Sequence, residues 1–322
     1  MGVTVLVTGG SGLVGRAVQE CIASAPTTDE TWVFTQSSEA DLTDLASTRA
    51  LFAHHKPTHV LHLAAMVGGL YRNVAQPVDF FMQNARMNEN VLQVAHECNV
   101  AKVVSCLSTC IFPDATPYPI DETMLHNGPP HASNLGYAMA KRNIDTLNQC
   151  YARQYGRCFT SVIPTNVYGP HDNFHLDDSH VIPGLIHKCY MAKTTHTPFV
   201  VSGTGAPLRQ FIYSADLATL LVWVVRHYTE TTPLILAVDA GDEVSIRGRH
   251  RCRLAIHRMS ALNDGNLVFD TTKGDGQYRK TASNAKLRSL SPELGAYRFT
   301  TLEAGLQKTT TWFLDNLATC RR

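Results

Sequence analysis

The chain has 322 residues with 28 basic against 27 acidic side chains, so its net charge of +1 gives no electrostatic case for nucleic acid or a membrane surface. That length supports a large core and leads one to expect two lobes. The nine cysteines (Cys21, Cys98, Cys106, Cys110, Cys150, Cys158, Cys189, Cys252 and Cys320) show no C-x-x-C spacing and suggest neither a zinc site nor a disulfide framework, but reduced thiols in a cytoplasmic enzyme.

Met1-Gly2-Val3-Thr4-Val5-Leu6-Val7 reads as a buried strand running into glycines rather than as a signal peptide, and no run reaches the roughly 20 apolar residues of a spanning helix. Helical spacing follows from Leu13 to Ala23. Thr31 to Thr35 and His59 to Leu63 are the next strands, with a helix from Leu45 to His54 between them. Asn84 to Cys98 and Gly136 to Tyr155 read as helices, Val103 to Leu107 and Thr160 to Pro164 as strands. This alternation predicts an α/β fold, a Rossmann-type doubly wound parallel sheet. Beyond His171 the alternation weakens and Pro, Gly and Asp increase, which suggests a smaller C-terminal substrate lobe above the carboxyl ends of the strands. The expected division is a dinucleotide-binding domain over 1–170, joined by a segment near 211–240, and a ligand lobe made mostly of 171–322.

Thr8-Gly9-Gly10-Ser11-Gly12-Leu13-Val14-Gly15 places glycines as G-x-x-G-x-x-G. Gly9 suits a tight turn, Gly12 close approach of a pyrophosphate, and Gly15 close packing of helix on strand, with the first turn at Leu13 and Val14 facing the phosphates. An ordinary strand-to-helix turn is the alternative. The second strand runs into Gln36-Ser37-Ser38 with no acidic residue for a ribose 2′-hydroxyl, which favours NADP, and with no arginine, which leaves the 2′-phosphate to Ser37, Ser38 and Gln36. Asp41 and Leu42 suit an adenine contact. Ala64 and Ala65 form a small-residue strand end under the cofactor.

Ser108 stands at the end of a strand, upstream of Tyr137 and Lys141. Four residues apart on a helix, phenol and ammonium share a face, about 5–6 Å apart between β-carbons. A neighbouring cation favours ionisation of a phenol whose ordinary pKa is near 10. Tyr-x-x-x-Lys alone is often solvated surface; its order after the glycines and the serine makes it a hydride-transfer constellation. His171, His175 and His180 with Asp172, Asp177 and Asp178 fit no zinc pattern, and no metal is expected.

Cys110-Ile111-Phe112-Pro113, Asn127-Gly128-Pro129-Pro130, the block Pro164-Thr165-Asn166-Val167-Tyr168-Gly169-Pro170-His171-Asp172-Asn173-Phe174 and His180-Val181-Ile182-Pro183-Gly184-Leu185 resemble the GDP-L-fucose synthases, a family of extended short-chain dehydrogenases. The resemblance implies 3,5-epimerisation and NADPH-dependent 4-reduction of GDP-4-dehydro-6-deoxy-D-mannose. It makes Cys110 and His180 the proton-exchanging pair, Tyr137 the proton donor, Lys141 the holder of the nicotinamide ribose, and Ser108 a partner of the carbonyl. It also implies cofactor contacts from Tyr137, Lys141, Pro164, Asn166, Val167 and His180, and substrate contacts from Lys188, Ser202, Arg209 and Asp275. A homodimer through the helices Asn84 to Cys98 and Gly136 to Tyr155 is a further implication.

The sequence departs from the family in two places. Ser202 stands where the family has tryptophan. After Arg247 the chain reads Gly248-Arg249-His250-Arg251-Cys252-Arg253-Leu254 where an amphipathic helix is expected. One allowed codon choice for those seven residues, read one base later, spells Asp-Val-Thr-Ala-Ala-Val, so a compensated frameshift stands beside a genuine basic segment; mass spectrometry of native peptides separates them. Two other functions stay open at this point. Another nucleotide-sugar epimerase or dehydratase would need no Cys110 and His180 pair, and a non-catalytic NADP-sensing protein would fit the two departures.

Overall fold

The computed structural model describes residues 2–247 and 267–322, so the basic segment 248–254 lies outside the described residues. In chain order the first half runs β1 (Val3–Thr8), α1 (Leu13–Ser24), β2 (Glu30–Phe34), α2 (Leu45–His55), β3 (His59–His62), α3 (Leu70–Ala75), α4 (Pro77–Glu97), β4 (Lys102–Cys106), α5 (Leu135–Tyr155) and β5 (Cys158–Pro164). The second half runs β6 (Asn166–Tyr168), α6 (Val181–Thr195), β7 (Phe199–Ser202), β8 (Leu208–Arg209), β9 (Phe211–Tyr213), α7 (Ser214–His227), β10 (Leu234–Leu236), β11 (Val244–Ser245) and β12 (Leu267–Asp270), then a C-terminal helix, Leu302–Asp315.

Six strands form one sheet in the order β10-β5-β4-β3-β1-β2, every neighbouring pair parallel. Alternation along β1 sends Leu6 into one core and Val5 and Val7 into the other, because successive side chains of a strand leave by opposite faces. Leu6 shares its core with Leu51 and Phe52 of α2, Val91 and Leu92 of α4, and Ile144 of α5. Val5 and Val7 share theirs with Ala17 and Val18 of α1 and Leu217 and Leu221 of α7. Each such fully buried side chain contributes about 1.5–3 kcal/mol of transfer free energy. A third core, with Phe174, Ile186, Phe199, Tyr213 and Phe313, fills the region around β7, β9 and the C-terminal helix.

The helices depart from sequence expectation at one end. α4 starts at Pro77 rather than Asn84, with proline in the first turn where its missing N–H costs nothing and Asp79 beside the helix N-terminus. α4 can lie close to α5 because Gly136 faces the Pro77 carbonyl; a β-carbon there would overlap it. The short α3 had no periodic signature in sequence. β10 joins the main sheet beside β5, and α7 packs on the same face as α1.

Candidate active site

The glycine turn is shaped by its own neighbours. Gly9 has φ +73°, and a β-carbon there would lie 2.8 Å from the Ala64 nitrogen; one on Gly15 would lie 2.5 Å from the Gly10 carbonyl. Gly12 differs, since a β-carbon would meet only the Gly9 carbonyl at 3.3 Å. It caps α1, whose first turn has neither a side-chain cap nor an acidic residue. Uncapped N–H groups and the positive end of the helix suit a diphosphate, so the cradle fits a dinucleotide. Leu13 and Val14 form that first turn, and the Ala64 N–H is held by the Thr8 hydroxyl at 3.3 Å, with Ala65 following. Ser37 and Ser38 are exposed beyond β2. Near them Glu39 folds back to accept the Gln36 N–H at 3.0 Å. The Asp41 carboxylate accepts from the N–H and hydroxyl of Thr43, which hold it below its usual range. The Leu42 carbonyl accepts from Asn90.

Beyond β4 the chain tightens into a single turn, Thr109–Ile111, capped by Ser108, whose hydroxyl accepts the Cys110 N–H at 3.5 Å. α5 secures that turn. Arg142 donates from Nε to the Ile111 carbonyl at 2.9 Å and from a terminal nitrogen to the Gly128 carbonyl at 2.8 Å. Next to it Lys141, almost fully buried, donates to the Cys106 carbonyl at 2.8 Å. Tyr137 packs edge-on to Phe80, ring centroids 6.2 Å apart, and the Lys141 ammonium lies 6.0 Å from its ring centroid.

Burial dominates the acidity of this cluster. It pushes the Tyr137 phenol well above its ordinary value, with Cys110 and Cys106 adding to the rise, so the lowering expected from Lys141 is not what the fold produces. Burial also pushes the Cys110 thiol up, opposed first by Lys280, then by its bond to Ser108, then by Lys141. The same burial lowers Lys141 and Lys280.

His180 comes from a different element. It caps α6 at the cleft surface, exposed yet crowded, and the crowding lowers its basicity while Asp178 opposes this. No hydrogen bond among the described residues joins its ring to Cys110. Pro164 ends β5 and Asn166 opens β6, where its side chain donates to the Gln210 carbonyl at 2.9 Å; Val167 packs on the core beneath α1 and α7. Lys188 is half-buried on α6, among the charges of Lys273, Asp177 and Asp270. Ser202 ends β7, in register with Asp270. Arg209 donates to the Leu208, Tyr278 and Gln277 carbonyls. Asp275 accepts from the Thr204 N–H at 3.0 Å and shares an electrostatic neighbourhood with Arg209, which in turn faces Lys280. One group thus gathers Ser108, Cys110, Tyr137 and Lys141; Arg209 and Asp275 connect to it through Lys280, while Lys188 and Ser202 lie toward β12.

Three contributors had little or no signal in sequence. Lys280 lies in a segment without periodicity. Arg142 sits at a buried helical position beside Lys141, and that charge on an inward face was the available clue. His62 is fully buried, bonded to the Thr8 hydroxyl at 2.8 Å and to Asn88 at 3.1 Å, whose amide donates to the Ala140 carbonyl. Burial depresses it to about 3, so it is neutral and ties the glycine turn to α5; a second histidine at the end of a short apolar strand was its signal.

A buried phenol and thiol, a hydroxyl and two lysines below a dinucleotide cradle can polarise a carbonyl, move a proton at its neighbouring carbon and protonate its oxygen. Residues 5–237 match the NAD dependent epimerase/dehydratase family. The chain is similar to a GDP-L-fucose synthase of Dictyostelium discoideum, 55% identical over 319 residues that cover 99% of this chain and 98% of that protein. It is also similar to a probable GDP-L-fucose synthase of Drosophila melanogaster, 53% identical over 325 residues and covering 99% of each. Among solved structures it is similar to a GDP-L-fucose synthetase from Naegleria fowleri bound to NADP, with TM-score 0.89, 45% identity, and coverage of 99% of this chain and 95% of that one.

Proposed function

We propose, because the chain belongs to the NAD dependent epimerase/dehydratase family and within it to the GDP-L-fucose synthases, that one cleft epimerises GDP-4-dehydro-6-deoxy-D-mannose at C3 and C5 and then reduces C4, yielding GDP-L-fucose. NADPH, bound on the glycine cradle, supplies the hydride for C4. Residues 1–170 with 211–240 form the NADP lobe in this reading, and most of 171–322 the GDP-sugar lobe.

The carrying observation is that Ser108 and Cys110 share the turn after β4, where the Cys110 N–H meets the Ser108 hydroxyl at 3.5 Å, while Lys141, one helical turn beyond Tyr137 on α5, donates to the Cys106 carbonyl at the end of that strand. The 4-keto group acidifies the protons on C3 and C5. Cys110 exchanges one of them and His180 serves the other face of the ring. Lys280, the largest charge opposing the burial of Cys110, favours its thiolate. Ser108 donates to the C4 oxygen, which polarises the ketone for enolisation and for reduction alike. Tyr137 then protonates that oxygen. Its raised pKa keeps the phenol protonated near neutrality, which a reductase needs in its acid. Lys141 spends one of its three protons on Cys106 and keeps two for the nicotinamide ribose. Lys188, Arg209, Asp275 and the space beside Ser202 serve the GDP-sugar, and Ser37 and Ser38 the 2′-phosphate.

Exposed apolar side chains on α4 (Val78, Met82) and α5 (Leu135) support a homodimer, since a second copy would cover them. The free thiols among the described residues support the cytoplasm, where reducing conditions preserve them; no helix among those residues is long and apolar enough to cross a membrane. Incubation with NADPH and the GDP-4-keto sugar tests the reading: stoichiometric NADPH oxidation with GDP-L-fucose formed supports it, and cofactor binding without turnover favours a sensor.

A further inference from the structure

The turn that carries His180 is fastened to the opposite wall of the cleft. Arg72 on α3 donates to one Asp178 oxygen at 2.6 Å, and the Gly69 N–H donates to the Asp178 carbonyl at 3.3 Å. The other carboxylate oxygen is buried and has no hydrogen-bond partner among the described residues. Space around it is fully used: a β-carbon on Gly68 would lie 2.7 Å from that oxygen, 3.0 Å from the Phe80 ring and 3.1 Å from the Arg72 side chain. Arg72 also lies over the Phe80 ring, which meets Tyr137 edge-on. We propose that Asp178, clamped by Arg72, is a positioning residue for His180 that docks its turn against α3 and presents a carboxylate to the imidazole. This rests on the reading of His180 as a proton-exchanging group.

The chemistry follows from the two oxygens. One is committed to the guanidinium and fixes the turn, while the other is buried beside Gly68 with no hydrogen bond among the described residues to spend its charge, two positions before His180. Charged groups on the surrounding elements are Arg72 of α3, Lys188 of α6, Asp177 and Asp178 of the turn itself, and Lys141, Cys110 and Tyr137 of the opposite wall. Asp177 acts on Lys188. Cys110 and Tyr137 are held neutral by burial. Asp178 is the charge that bears on His180, favouring imidazolium against the crowding that disfavours it. Arg72 therefore sets the strength of the effect: a neutralised Asp178 acts weakly and an unpaired one strongly.

The test is a histidine NMR titration of the full chain, with the His180 signal assigned by its loss in His180→Gln. Asp178→Asn keeps the shape and removes the charge, and should lower the His180 midpoint by about half a unit or more. Arg72→Gln should raise it by a similar amount, and Arg72→Lys should restore it nearly to the parent value. An unmoved midpoint in Asp178→Asn, or displacement in the same direction by Asp178→Asn and Arg72→Gln, overturns the proposal. Solvent deuterium entry at C3 and C5, followed against pH in the same variants, should move with the midpoint. Midpoints that shift in opposite directions while the exchange profile stays fixed would uphold the Asp178 and His180 relationship and refute the role of His180 in exchange.

Discussion

The Lys141 ammonium donates to the Cys106 carbonyl at 2.8 Å and lies 6.0 Å from the centroid of the Tyr137 ring. A pair spaced for direct contact on one helix face is therefore bridged to the end of β4 instead. The lysine joins the strand that carries Ser108 and Cys110 to the helix that carries the phenol. Its charge reaches the Cys110 thiol, whereas the acidity of Tyr137 is set by burial and by the two cysteines.

That arrangement separates the half-reactions. Tyr137→Phe should slow NADPH oxidation by about 100-fold or more, the usual scale of a lost general acid, while solvent deuterium still enters C3 or C5. Cys110→Ser should suppress exchange and leave reduction of the unepimerised ketone. Mass spectrometry of the sugar beside absorbance of NADPH reads both, and loss of exchange in Tyr137→Phe would sink the division of roles.

Cofactor choice should be tilted rather than absolute. Ser37 and Ser38 can hold a 2′-phosphate, but no arginine clamps it, and the Glu39 carboxylate turned onto the Gln36 N–H adds a nearby negative charge. NADPH should outcompete NADH by a moderate margin. Glu39→Gln should widen that margin, by about 1.5-fold to fivefold on the scale of one removed surface charge. A measured preference for NADH in the parent protein would refute the assignment of Ser37 and Ser38.

The main sheet was legible because β1, β3, β4 and β5 are short apolar runs separated by helices of period 3.6, and sterics allow few arrangements of such units. Gly9 and Gly15 were legible for the same local reason, since their neighbours leave no room for a β-carbon. Lys280, Arg142 and the Arg72 to Asp178 clamp were not. Each joins segments far apart in the chain, and their charge is spent on partners that only the fold supplies. The start of α4 was missed because Pro77 looks like a breaker until it is seen in a first turn.

Asp172 offers a test of stability against pH. One of its oxygens accepts the Asn173 N–H at 2.7 Å, the other is buried without a hydrogen bond among the described residues, and burial raises the carboxyl from 3.8 to about 7. A folded pKa above the unfolded one means that the folded state holds its proton more tightly. Stability from this group is thus full below about pH 4, falls as pH rises through about 7, and stays low above that. Asp172→Asn should stabilise the fold more at pH 8 than at pH 5, by about 2–4 kcal/mol at most from the linkage of such a shift, read as a larger rise in melting temperature at pH 8. Equal gains at both pH values would contradict it.

Ser202 tests the proposed sugar lobe. It closes β7 in register with Asp270, and next to it Gly203 adopts φ +84° in a position where a side chain would overlap Asp275. Nearby Phe269 is covered by Arg247, 4.6 Å from its ring centroid. If the absence of the family's tryptophan leaves a gap beside the bound GDP-sugar, Ser202→Trp should lower the KM for the sugar and leave NADPH affinity unchanged, because the proposed cofactor cradle is built on the turn into α1 and Ser202 ends β7. At roughly 25 cal/mol per Å² of apolar surface buried, a well-packed indole would contribute about one to two kcal/mol, close to a tenfold change. Steady-state kinetics with each substrate varied in turn reads both constants. A raised sugar KM with intact cofactor binding would mean that other side chains already fill the space, and that the proposed sugar lobe has repacked around the serine.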